Sequence, residues 1–248
     1  MSGECEDMEV KKKCTAVVLA AGQGTRMGTS VQKQYLELEG KPLICYALKT
    51  FETSSVIDDV VLVVGTGQEA YVREQIIEPY QFAKVTAIVE GGRERYDSVY
   101  EGLKAAVRDE KGQVRDGYVF IHDGARPFVD EEMLHRQYEA VGTYRACVAG
   151  MPSKDTVKLI DDDNYAVKTP KRKYVWTVQT PQVFENSLIM DAYSKMMRED
   201  CEGITDDAMA VERYMDVPVK LVEGSYRNIK ITTPEDLAVA RTFVNGKI

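Results

Sequence analysis

Side chains able to do chemistry gather in four places along the 248-residue chain. The first is Leu19-Ala20-Ala21-Gly22-Gln23-Gly24-Thr25-Arg26-Met27-Gly28, followed by Lys33. A glycine loop leaving a buried strand exposes backbone N–H groups that can wrap a phosphate, and small Ala20 and Ala21 let a flat nucleoside approach. The spacing is neither G-x-G-x-x-G nor G-x-x-x-x-G-K-[ST], which excludes the dinucleotide fingerprint and the P-loop. What remains is G-x-G-x-R with Lys33 seven residues beyond the arginine, two fixed cations beside an oligophosphate cradle. Taken singly, Arg26 or Lys33 would read as a solvated surface cation; with the loop, they point to phosphate chemistry.

The second place is His122-Asp123-Gly124-Ala125-Arg126-Pro127, just past an apolar run. Mg²⁺ takes one or two carboxylates plus phosphate oxygens, so Asp123 is the candidate metal ligand. His122 reads as a core or locally hydrogen-bonded residue, and no G-x-S-x-G elbow supports a hydrolase triad. In Glu90-Gly91-Gly92-Arg93-Glu94-Arg95-Tyr96-Asp97-Ser98, Gly92 and Arg93 could offer main-chain groups to a base and Ser98 a hydroxyl. A plain helix start, with Arg95 packing locally, explains that stretch equally well. The fourth set lies downstream: Thr156, Arg172, Thr180-Pro181-Gln182, Ile204-Thr205-Asp206-Asp207 and Asn228-Ile229-Lys230. Thr205-Asp206 is also a plausible helix cap, while Lys230, between two isoleucines, would be costly without an anionic partner.

The elements that must position these residues follow from periodicity. Short apolar runs at Thr15–Ala20, Val60–Val64, Val85–Val89 and Tyr118–Ile121 predict buried strands. Helical periods at Leu43–Phe51, Tyr71–Ile77 and Ser98–Val107 alternate with them, which implies an α/β fold, a Rossmann-like mostly parallel sheet with helices on both faces. Ligands in such sheets bind beyond the carboxyl ends of the strands, so the first two clusters should face one crevice. Residues 151–180 alternate polar and apolar around a turn at Asp161–Asn164 and predict a protruding β-hairpin arm. Its apolar side needs cover, and a second copy of the chain is a natural candidate. Helices are expected at Ser187–Met197, Asp207–Tyr214 and Pro234–Val244, with strands near Val217–Val222 and Asn228–Ile231. Residues 1–13 read as a polar tail and 14–248 as one domain with an arm.

Composition narrows the class. With 32 Lys+Arg, 40 Asp+Glu and a net charge of −8, neither nucleic acid nor an anionic membrane is expected as a partner. The tail, with Glu4, Glu6, Asp7 and Glu9, is no secretory signal, and no run approaches a membrane span. Five scattered cysteines without a C-x-x-C pair fit a reduced, cytoplasmic protein.

In order along the chain stand LAAGQGTRMG, KQYLELEGKPLICYAL, EGGRERYDSVYEGL, HDGARPF, PSKDTVK, TVQTPQVF, ITDDA and NIKITTPEDLAVA. Together they resemble the 2-C-methyl-D-erythritol 4-phosphate cytidylyltransferases of non-mevalonate isoprenoid synthesis, from about Thr15 to the C-terminus. The resemblance implies Mg²⁺-dependent transfer of CMP from CTP to the sugar-alcohol phosphate, with pyrophosphate released. It implies that Ala20, Ala21, Gly22, Gly24 and Thr25 line the CTP site, with Gly92, Arg93 and Ser98 around the cytosine. Arg26 and Lys33 match the cations at the reacting phosphate and Asp123 the metal carboxylate. Arg126, Thr156, Arg172, Thr205 and Lys230 match residues gripping the acceptor, Arg172 and Lys230 within the catalytic set. The family's arm crosses a homodimer, so Thr156 and Arg172 would serve the neighbouring site. Departures are Gln32 before Lys33, Gly124, and Arg227 where an acidic residue often precedes the asparagine. The competing readings are a ribitol 5-phosphate cytidylyltransferase and a non-catalytic nucleotide-binding protein.

Overall fold

The β-branched runs seen in the sequence become the strands of one sheet, and a computed structural model describes residues 11–22, 32–199 and 201–246. β1 (Cys14–Ala20) is followed by a 3-10 turn at Lys33–Tyr35, by the two-residue strands β2 (Glu37–Leu38) and β3 (Lys41–Pro42), and by helix α1 (Ile44–Thr53). After β4 (Asp59–Val64), helices α2 (Glu69–Val72) and α3 (Glu78–Tyr80) flank a π-helical segment, Arg73–Ile77. Next come β5 (Val85–Glu90), α4 (Arg95–Val107), β6 (Tyr118–Asp123), α5 (Glu131–Tyr144) and β7 (Ala146–Pro152). The arm holds β8 (Leu159–Ile160) and β9 (Ala166–Lys168), and the chain returns through β10 (Trp176–Glu185). Helices α6 (Asn186–Met196) and α7 (Asp207–Met215), strand β11 (Lys220–Glu223) and helix α8 (Pro234–Val244) complete it.

Seven strands form the sheet in the order β11-β7-β10-β6-β1-β4-β5. Every pairing is parallel except those of β10, which runs antiparallel to both neighbours. From β1 the chain builds outward through β4 and β5, then crosses back to lay β6 on the other side. The carboxyl ends of β1 and β6 therefore lie side by side, with Leu19 opposite Asp123. That reversal opens the crevice in which α/β sheets bind ligands.

Alternate side chains of each strand go to opposite faces. Ala16, Val18, Leu62 and Phe120 pack with Leu48 and Phe51 of α1 on one face. Val17, Val61 and Val63 meet Val99 and Leu103 of α4 on the other. Helix starts carry the expected caps: Asp130 accepts from Met133 N, and Asp206 from Met209 N. Thr233 and Asp236 form a capping box around Pro234 at the first turn of α8.

Three differences from the expected elements have local causes. Asn228–Ile231 is a loop rather than a strand, because its backbone is satisfied by turns and side chains: Asn228 N–H donates to Ser225 O and Ile231 N–H to Ala125 O. The helix expected at Tyr71–Ile77 is interrupted by the π segment just before Pro79, which has no N–H for a regular ladder. At the foot of the arm, Trp176 to Val178 pair with Pro152 to Gly150, so both flanks of the hairpin continue strands of the main sheet. Beyond that foot Ile160, Tyr165, Val167 and Tyr174 are exposed by 54–73%.

Gly102, inside α4, lets that helix approach the sheet: a Cβ there would lie 2.5 Å from Val17 Cγ1 and 2.8 Å from Val63 Cγ2. Helix propensity alone would favour Gly102→Ala by about 1 kcal/mol. Overlap with two fully buried valines outweighs it, and we expect a net loss of ~1–3 kcal/mol in urea denaturation. A stabilised variant would show that the helix can move away freely.

Candidate active site

Where β1 ends, Ala20 is buried and its carbonyl accepts a bond from the Gln34 side chain, which also donates to Gln32 Oε1 at 2.7 Å. Gln34 is itself buried, so this amide fixes the 3-10 turn against the strand end and brings Lys33 to the rim of a cavity of about 830 Å³. Ala21 and Gly22 line the same cavity. Gly24, Thr25 and Arg26 lie outside the described residues.

The opposite wall is the loop between β5 and α4, where Gly92, Arg93 and Ser98 line the cavity. The Ser98 hydroxyl donates to Glu94 O and accepts from Gly92 N–H, both at 3.2 Å. Glu94 and Asp97 exchange the reciprocal bonds of a capping box. The helix-start reading and the site reading thus describe the same residues: the cap shapes the wall. Glycine is required at 91, where a Cβ would stand 2.6 Å from both Ala21 Cβ and Ser98 Oγ.

The floor carries the charge. Asp123, last residue of β6, has Oδ2 2.7 Å from Lys230 Nζ and Oδ1 3.6 Å from Arg95 Nε. Burial alone would push its carboxyl up; Arg95, Lys230 and Arg126 outweigh it and hold the group well below the usual carboxylate range. Arg95 is anchored from behind, its two Nη groups each 2.8 Å from an oxygen of fully buried Asp207. Tyr193 OH donates to Asp207 Oδ1 at 2.5 Å. Burial opposes the arginine's charge, but Asp207 and Asp123 raise its pKa well above the ordinary value.

His122 faces away from this floor. Its Nε2 lies 2.9 Å from Arg126 O, which can only accept, so that nitrogen carries the proton. Nδ1 then accepts from Thr180 Oγ1 at 3.0 Å, while Thr180 accepts Asp123 N–H. Burial pushes its pKa down to about 4, and with both nitrogens engaged it offers no free base.

Of the sequence-assigned residues, Ala21, Gly22, Lys33, Gly92, Arg93, Ser98, Asp123 and Lys230 meet in one cavity. Arg126 lies behind it, donating to Asn228 O at 2.8 Å. Thr156 is exposed on the arm with Arg172, which donates to Lys154 O; neither lines the cavity. Thr205 is exposed, its hydroxyl 3.0 Å from Met209 Sδ, and Asp206 supplies the cap of α7. Sequence reasoning missed Gln34, Thr66 and above all Arg95, whose partners are 28 and 112 residues away rather than local. The available signal was an arginine three residues past Gly91-Gly92 together with two adjacent aspartates, Asp206 and Asp207, downstream.

Among the described residues no three Asp, Glu, His or Cys side chains converge as a closed metal cage. A single ionised carboxylate on a wide cavity suits Mg²⁺ instead, which leaves most of its coordination to water and phosphate.

Comparison with known proteins places this architecture. Residues 14–246 match the family model described as IspD, 2-C-methyl-D-erythritol 4-phosphate cytidylyltransferase. A protein of that name from Lachnospira eligens is 49% identical over 233 residues, covering 94% of this chain and 99% of the relative. One from Lachnoclostridium phytofermentans is 47% identical over 94% of this chain and 97% of its own. The crystal structure of 4-diphosphocytidyl-2C-methyl-D-erythritol synthase from Anaerococcus prevotii superposes with a TM-score of 0.81 at 35% identity, covering 95% of this chain and 97% of that one.

The buried histidine sets a pH dependence. Unfolded His122 takes up a proton near pH 6.5, while the native imidazole stays neutral down to about 4. Between those values the unfolded state binds more protons, so stability falls as pH is lowered through this window, by about 3 kcal/mol at most. Urea denaturation between pH 7 and 4.5 should show a shallower decline for His122→Gln than for the wild type. Equal slopes would locate the proton uptake elsewhere.

Proposed function

The chain belongs to the 2-C-methyl-D-erythritol 4-phosphate cytidylyltransferase family, and from that premise we propose how its cavity performs the reaction. The enzyme transfers CMP from CTP to 2-C-methyl-D-erythritol 4-phosphate, giving 4-diphosphocytidyl-2-C-methyl-D-erythritol. An acceptor phosphate oxygen forms a bond to the α-phosphorus of CTP, the α–β phosphoanhydride bond breaks, and pyrophosphate leaves with the electron pair.

The nucleophile is already an anion near neutral pH, so the chemistry needs charge neutralisation and alignment rather than a general base. The neutral, doubly hydrogen-bonded His122 agrees with that. In our reading CTP lies along Ala20–Gly22 and the glycine loop with Gly24 and Thr25, its base against Gly92, Arg93 and Ser98. Arg26 and Lys33 stabilise the charge that builds on the reacting phosphate. Asp123 would hold Mg²⁺, which would supply Lewis-acid neutralisation of the triphosphate. Lys230, which lines the cavity, orients the acceptor phosphate; for Arg126, behind the cavity, and exposed Thr205 the same role rests on the family resemblance alone. The single observation that carries the proposal is that Lys33, Lys230, Asp123 and the Gly91–Arg93 wall open onto one cavity at the β1/β6 reversal.

Thr156 and Arg172 do not line their own chain's cavity, and the arm beyond its foot exposes Ile160, Tyr165, Val167 and Tyr174. A homodimer in which each arm reaches the other subunit's cavity accounts for both facts. We place the enzyme, one domain with an arm, in the cytoplasm; the free thiols of Cys14, Cys45 and Cys147 agree with a reducing compartment.

Lys33→Ala or Arg26→Ala should lower kcat about 10²-fold or more in a pyrophosphate-release assay with CTP and Mg²⁺. Ribitol 5-phosphate in place of the methylerythritol phosphate serves as the acceptor control. Arg172→Ala should raise KM for the acceptor, because a guanidinium fork is lost. Co-expression of Arg172→Ala with Lys33→Ala separates the dimer arrangement from a one-chain site. If arms are exchanged, each heterodimer holds one intact site, and statistical mixing restores roughly a quarter of wild-type activity at low acceptor concentration. No recovery would assign Arg172 to its own subunit.

A further inference from the structure

Lys230 lies on the stretch between β11 and α8 that forms no strand, yet its ammonium is held 2.7 Å from Asp123. The path of that loop is set by side chains at the root of the arm. Gln179, buried on β10, donates Nε2 to Ser225 O at 2.8 Å, and its Oε1 accepts from Ser225 N–H and from Asn228 Nδ2, both at 3.3 Å. One carboxamide thus does what a neighbouring strand would do, pairing with both backbone groups of a loop residue. Gly224 leaves the space for it, since a Cβ there would collide with Gln179 Oε1. From the β7 side, Tyr226 OH donates to Pro152 O at 2.9 Å, and the Lys154 ammonium sits 3.5 Å from the Tyr226 ring centroid.

Both strands that run out into the arm therefore grip the loop that delivers Lys230. We propose that Gln179 and Tyr226 are positioning residues for Lys230, fastening its loop to the arm root so that arm geometry and the ammonium at Asp123 are set together. The inference rests on the role proposed above for Lys230. Neither side chain lines the cavity, so neither touches the reacting atoms. Gln179 also accepts from Asn228 Nδ2, whose carbonyl accepts from Arg126, so the route through the lysine is the one the measurement has to isolate.

A double-mutant cycle reads that route directly. Gln179→Ala and Tyr226→Phe are each made in the wild type and in Lys230→Ala, and kcat, CTP affinity and melting temperature are measured on the full chain. We expect Gln179→Ala to lower kcat about tenfold and Tyr226→Phe about threefold, with CTP affinity within about twofold of the wild type. In the Lys230→Ala background each should cost less than about twofold, because the group being positioned is gone. Tyr226→Phe keeps the ring and removes one bond of a half-exposed side chain, so it carries the cycle if Gln179→Ala fails to fold. The same fold-loss in both backgrounds, or an unchanged kcat in the wild-type background, would overturn the inference. Full activity in Lys230→Ala itself would instead remove the role assigned to the lysine.

Discussion

One carboxylate organises this molecule. Asp123 ends the central strand β6 and keeps its charge although buried, because Arg95 and Lys230 approach it from two sides. An isolated carboxylate in such a place would neutralise by taking up a proton. Each of these half-exposed cations is held from behind: Arg95 by Asp207, which in turn accepts from Tyr193 OH, and Lys230 by the loop pinned to Gln179 and Tyr226. The result is a charged floor with alternating signs rather than a uniformly positive pocket.

That alternation suits a reaction between two polyanions. A cavity of pure positive charge would bind triphosphate and acceptor wherever they happened to land. Fixed cations around one fixed anion would instead, in the proposed reaction, give the phosphates and a divalent ion distinct places. The preorganisation is built into the fold, since β1 and β6 bring Leu19 beside Asp123 by backbone register before any side chain is considered. The acidic chain, at a net −8, bears on this only globally; the field that matters is local.

The arm and the cavity are also mechanically continuous. β7 and β10 pair at the foot of the arm, and side chains from that foot bond the loop carrying Lys230. A hairpin that buries little of its own apolar surface is thereby linked to the residue nearest the central carboxylate. In a dimer built through the arms, each site would depend on its own arm for the position of its lysine and on its neighbour's for Arg172.

Much of this was legible in one dimension. The runs TAVVLA, VVLVV and YVFI could hardly be anything but buried strands, and the glycine loop and HDGARP fell at their ends because turns follow strands. Lys230 between isoleucines announced an anionic partner, whereas the almost wholly apolar β1 gave no sign of which of its residues face which helix. What local pattern could not give was anything decided by approach across distance. Arg95 and Asp207 stand 112 residues apart and meet only because α4 and α7 share a face of the sheet. Asn228–Ile231 has the composition of a strand but lies as a loop, because Gln179, Arg126 and Ala125 satisfy its backbone and side chains from elsewhere. Sequence determines what each segment prefers and which groups it carries; the tertiary structure decided which of those groups share a cavity, since long-range electrostatics and hydrogen bonding depend on separation in space and not along the chain.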